Sequence, residues 1–194
     1  MKEVLGEGII EEIVREFGLV AVFITMTLES ALIPIPSEIV MPLAGFLASS
    51  GYFTLVEIIL TASFANLLGS LIAYYFGFRI RPLLPEKFFK EHVEMAERFF
   101  ERFGSRAVFA GRMLPAIRTF ISLPAGLANI PLQEFALFTF LGSIPWNAGL
   151  AFLGFVLGRN WKLIHHYMSF LYLPLFLALG FLVFRKNFFK KLGR

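Results

Sequence analysis

Two long apolar blocks set the pattern of this chain. Across residues 17–78 the charged positions are Glu29, Glu38 and Glu57, with no Lys or Arg. Across residues 107–158 they are Arg112, Arg118 and Glu134. Within and after these blocks, residues 55–78, 133–157 and 162–184 are apolar runs long enough to cross a hydrocarbon core of about 30 Å as helices. Two other stretches are too short. Residues 17–33 and 37–49 would span only about 25 and 20 Å as helices, and Pro34 and Pro36 stop them from joining into one. Pro115 and Pro124 bracket residues 116–123 in the same way, and neither adjoining helix reaches spanning length. Such pieces predict re-entrant helical hairpins whose tips are buried in protein rather than lipid. Ser37 is placed to cap the returning helix of the first hairpin, with Glu38 in its first turn. Pro145 and Pro174 are expected to kink the last two spans.

The blocks resemble each other. Phe17-Gly18 followed by Ala21-Val22-Phe23 recurs as Phe103-Gly104 followed by Ala107-Val108-Phe109. Ala44-Gly45 recurs as Ala125-Gly126, and Gly77 as Gly158, both 81 positions on. The pattern predicts an all-α polytopic membrane protein. It would be an inverted repeat with two opposed re-entrant hairpins and about three spanning helices. The repeat halves are residues 17–78 and 103–158, joined by an amphipathic connector at 79–102. An interfacial helix at 1–16 precedes them, and a transmembrane helix with a basic tail at 159–194 follows. In inverted-repeat transporters the site lies between opposed broken helices.

Composition agrees with the membrane reading. The 194 residues are 57% apolar and 16% charged, with 25 Phe and a mean hydropathy of +0.73, whereas soluble domains carry about 25% charge. The absence of Cys removes disulfides, thiolate metal sites and Cys nucleophiles. His92, His165 and His166 lack the spaced partners of a metal cage. The net charge of +4 sits at membrane boundaries, where it signals topology rather than nucleic acid. The N-terminus does not read as a signal peptide. Lys and Arg concentrate in the connector and the tail, which places both in the cytoplasm.

The intramembrane charges carry the chemistry. On a continuous helix Arg112 and Arg118 would point about 240° apart, but Pro115 between them lets the guanidiniums converge. Their planar donor forks suit phosphate oxygens. They suit equally a structural role, neutralising Glu29 or Glu38. Those two carboxylates are either proton- or cation-coupling groups or counter-ions, because burial and an Arg neighbour pull a carboxyl in opposite directions. Gly142, Trp146 and Asn147 read as helix-packing positions, as do Asn66 and Gly69.

The run Phe109-Ala-Gly-Arg112-Met-Leu-Pro115-Ala-Ile-Arg118, followed by Pro124-Ala125-Gly126, resembles the Arg-x-x-Pro-x-x-Arg and Pro-Ala-Gly signature of the DedA family, whose core is also called the SNARE-associated or VTT domain. Glu29-Ser30 with Pro34-Ile35-Pro36-Ser37-Glu38 is similar to that family's acidic motif, and Gly142-x-x-x-Trp146 to a third feature. The resemblance implies two opposed re-entrant loops and movement of lipid across a prokaryotic inner membrane. The cargo it implies is undecaprenyl phosphate, with proton or sodium coupling through acidic residues. Arg112 and Arg118 would then hold the phosphate, Glu29 and Glu38 would couple or counter-balance, and Pro34, Pro36, Pro115, Pro124, Gly45 and Gly126 would shape the hairpins. This reading is not an enzyme and needs no cofactor or metal. Its partners are membrane lipids, with a homo-oligomer open. An energy-independent phospholipid scramblase, an intramembrane lipid phosphatase and a membrane scaffold are the alternatives.

Overall fold

The computed structural model describes residues 18–83, 93–115 and 117–157. Residues 18–156 belong to one compact unit, and Leu157 begins a second whose remainder lies outside the described residues. The expected helices at 1–16 and 162–184 also lie outside them. Among the described residues all regular structure is helical. Two helices among these residues are long and apolar enough to cross a membrane, in the regions 55–83 and 132–157.

The first half runs α1 (Leu19–Ser30), α2 (Ser37–Ser49) and α3 (Leu55–Ile80), the last followed by a 3-10 turn (Arg81–Leu83). The second runs α4 (Glu94–Phe103), α5 (Arg106–Arg112), α6 (Ile117–Phe120), α7 (Ser122–Leu127) and α8 (Leu132–Leu157). The breaks fall where proline puts them, at Pro34 to Pro36 and at Pro115. Pro124 is a correction to the expected boundary. It sits in the first turn of α7, where a missing N–H interrupts no helical bond. The helix α8 continues through Pro145.

Helices α1, α2 and α7 end alike. Leu32 N–H donates to Glu29 O and Ile33 N–H to Leu28 O. The equivalent bonds join Gly51 to Ala48 and Tyr52 to Leu47, then Asn129 to Gly126 and Ile130 to Ala125. This is the Schellman closure, which needs a left-handed residue. Gly51 and Asn129 suit that conformation, but the first closure imposes φ 73 on Leu32. At the other end of the turn that follows α2, Thr54 and Glu57 form a reciprocal capping box that starts α3.

The long helices are amphipathic in the opposite sense to soluble ones. Val56, Leu60, Phe64, Leu68, Ile72 and Phe76 make an exposed stripe along α3, while Ala62, Ser63, Ala65, Asn66, Gly69, Ser70 and Ala73 are buried. Bulk faces outward and small or polar groups face inward, as expected where lipid is the solvent and close packing drives association. The small residues let backbones touch. A Cβ on Gly69 would strike Thr27 O of α1, and one on Gly142 would lie 2.9 Å from Phe109 O of α5. Each long helix also braces the other half: Gly126 of α7 abuts Tyr74 O of α3, and Gly45 of α2 abuts Ala151 O of α8. Tyr74 of α3 stacks on Phe135 of α8 at 4.7 Å and donates from its hydroxyl to Ile130 O, in the turn between α7 and α8, at 2.6 Å.

Candidate functional site

Helix ends deliver the charged groups to one buried region. Glu29 and Ser30 close α1, and Ser37 and Glu38 open α2. Arg112 ends α5, Arg118 lies on α6, and Ser122 opens α7. The chain folds this way because each proline break leaves helix-terminal backbone groups without partners, and polar side chains from across the break supply them. Ser37 N–H, at the start of α2, donates to Glu29 Oε1 at 3.4 Å. The Ser37 side chain does not cap its helix as the sequence suggested. Pro36 holds the N-cap position without a side-chain bond, and Ser37 Oγ instead accepts from Arg118 Nη2.

The two arginines differ in their company. Arg118, 4% exposed, forms an ion pair with Glu29 Oε1, and its guanidinium carbon lies 5.1 Å from the Trp146 ring centroid. Arg112, 2% exposed, pairs with no carboxylate among the described residues. Its Nη1 donates to Arg118 O at 2.6 Å, and its Nη2 to Ser122 Oγ at 2.6 Å and to Ser70 Oγ. Across Pro115 the Arg112 guanidinium reaches the Arg118 backbone carbonyl, while the Arg118 guanidinium turns to Glu29 and Ser37. Glu38 is half-buried, with Ser37 Oγ 3.4 Å from its Oε2 and no ion pair among the described residues.

A neutral polar network continues from this cluster between the long helices. Ser70 Oγ donates to Asn66 O at 2.5 Å. Ser30 Oγ donates to Asn66 Oδ1 at 3.3 Å, Asn66 Nδ2 to Asn147 Oδ1 at 3.4 Å, and Asn147 Nδ2 to Ser63 Oγ at 3.1 Å. Sequence reasoning singled out both asparagines for packing but missed Ser70 and Ser122, which only the fold brings to Arg112. Their signal was weak: small polar residues inside apolar runs, the type that hydrogen-bonds between membrane helices. Among the described residues, four buried side-chain atoms have no hydrogen-bond partner: Glu29 Oε2, Arg112 Nε, Thr139 Oγ1 and Trp146 Nε1.

Chemically, this is a buried polar cluster of two arginines, of which Arg118 is paired with a carboxylate and Arg112 is held by neutral oxygens. A buried cation held only by neutral oxygens is costly in a membrane, and an anionic oxygen would offset that cost.

A family model described as the VTT domain matches residues 35–156. The uncharacterized membrane protein YkoX of Bacillus subtilis is 34% identical over 87% of this chain and 77% of the relative. An alkaline phosphatase-like protein of Lactococcus lactis subsp. cremoris is 33% identical over 95% of each. The undecaprenyl phosphate transporter A of Staphylococcus aureus is 28% identical over 92% of this chain and 95% of the relative. No solved structure matches the chain significantly.

Proposed function

The chain belongs to the VTT-domain family, and on that premise we propose that it is a membrane lipid transporter that moves undecaprenyl phosphate across the cytoplasmic membrane. The observation that carries this reading is Arg112: buried, charged and, among the described residues, bonded only to a carbonyl and two serine hydroxyls, with its Nε unpartnered. The name of the Staphylococcus aureus relative supplies the cargo, an anionic phosphomonoester whose oxygens suit a guanidinium fork. Arg112 and Arg118 hold the headgroup while the prenyl tail stays in lipid. Arriving phosphate competes with Glu29 for Arg118. Glu29, whose Oε2 is unpartnered, and Glu38 then take up a proton or sodium ion, which couples or resets the cycle.

The halves act as an inverted repeat with two opposed re-entrant hairpins. Support comes from residues 81 positions apart that meet in space: Asn66 with Asn147 and Ser37 with Arg118. Residues on a two-fold axis contact their own equivalents, and the 81-residue offset is the one that relates Gly45 to Gly126.

The test is uptake of undecaprenyl phosphate by proteoliposomes, with and without a pH or sodium gradient. Saturable movement lost in Arg112→Ala and Arg118→Ala supports the reading, and full transport by the folded double variant overturns it. Fast, unselective movement of phospholipids indifferent to a gradient supports the scramblase instead. The Lactococcus relative's name raises lipid-phosphate hydrolysis, which release of inorganic phosphate in the same vesicles would reveal.

A further inference from the structure

The helix α8 carries a stripe that the two arginines do not explain. Thr139, Gly142 and Trp146 fall three and four residues apart and so share one face. At Gly142 the helix presses on the arginine segment, because a Cβ there would lie 2.8 Å from Arg112 Cβ. One turn further, the Trp146 ring covers Arg118. One turn back, Thr139 is fully buried.

Both flanking residues hold an unpartnered polar atom, Thr139 Oγ1 and Trp146 Nε1, and Arg112 Nε is a third. Indole and guanidinium nitrogens can only donate, and a hydroxyl can donate as well as accept. A buried donor left without an acceptor is unfavourable. Three donors gathered along one seam call for a guest rich in acceptors. Trp146 also lies near the middle of the 26-residue α8, not at the level where tryptophans anchor membrane proteins to the headgroup region.

We infer that Trp146 is a headgroup-binding residue of the transport site, its indole N–H donating to an oxygen of an anionic phosphomonoester lipid while its ring face orients Arg118. This rests on the transporter reading above and adds a donor to it. It also adds a wall from α8 to the one that the α5–α6 segment supplies through Arg112 and Arg118.

Trp146→Phe keeps a ring beside Arg118 and removes the N–H. The expected result is about a tenfold loss of affinity for undecaprenyl phosphate in nanodiscs, the scale of a hydrogen bond to a charged group. Weak binding of uncharged undecaprenol should be unchanged. Equal loss for both lipids, or no loss for either, overturns the inference. A direct measurement avoids dependence on the variant's folding. In the wild-type chain, the Trp146 indole 1H–15N resonance should shift downfield on titration with undecaprenyl phosphate and not with undecaprenol. An unmoved resonance, with phosphate binding still dependent on Arg118, removes Trp146 and leaves the transporter intact. Absence of saturable phosphate-lipid binding by the wild type overturns both.

Discussion

Asn66 and Asn147, 81 positions apart, hydrogen-bond to each other between the long helices, Nδ2 to Oδ1 at 3.4 Å. Each is almost fully buried, and each also bonds a serine. In an apolar interior a lone amide left by removing its partner is costly, whereas two matched apolar groups need not be. Asn66→Leu and Asn147→Leu should each lower thermal stability in detergent, and the double variant should lose less than the sum. Coupling of about 0.6–2 kcal/mol is the expected range for interhelical bonds in membranes. Strict additivity would show that the contact does not bind the halves together.

Arg118 and Glu29 form a buried ion pair, so removing one partner strands the other. Arg118→Ala should destabilise by about 3–5 kcal/mol. The paired change Arg118→Gln with Glu29→Gln should recover much of that stability while transport stays lost. Unfolding midpoints of the two variants against wild type measure the first effect, and vesicle uptake measures the second.

Arg112→Lys preserves charge but not the planar fork that reaches Arg118 O, Ser70 and Ser122 together. Transport should fall at least about tenfold, the scale of one lost charge-assisted bond. Near-normal uptake by the lysine variant would mean that charge alone suffices.

Leu32 holds φ 73 at the end of α1, beside the site. A left-handed non-glycine residue costs about 1–2 kcal/mol, and glycine returns part of that through chain entropy. Leu32→Gly should therefore stabilise the protein by about 1 kcal/mol, raising its unfolding temperature. If it instead lowers stability, packing of the leucine side chain outweighs the backbone strain.

The proposed re-entrant geometry has its own test, aided by a chain without cysteine. Ile33→Cys and Leu114→Cys lie at the two breaks, where both native side chains are exposed. Neither should react with an impermeant thiol reagent added on the face opposite its own helix ends. Reaction from that opposite face would turn the hairpins into full spans.

Much of this architecture was legible because proline and charge act locally. Pro34, Pro36 and Pro115 break helices wherever they stand, and Arg118 had few carboxylates within reach. Pairing was less legible. Which arginine meets Glu29 depends on the approach of α1 to α6, and Ser70 and Ser122 reach Arg112 only through tertiary packing. Pro124 was misjudged because a proline three residues into a helix obstructs nothing. The Thr54–Glu57 capping box, by contrast, was written openly in the spacing and needed only to be read.

The mutual bracing of the halves has a consequence for biogenesis. Ribosomes make α1 and α2 first, yet Glu29 finds Arg118 89 residues later, and Gly45 meets Ala151 later still. Until then the newborn first half carries an uncompensated carboxylate and an uncovered glycine face. Insertion machinery that shelters this segment until translation has passed α8 would spare it from premature release into lipid.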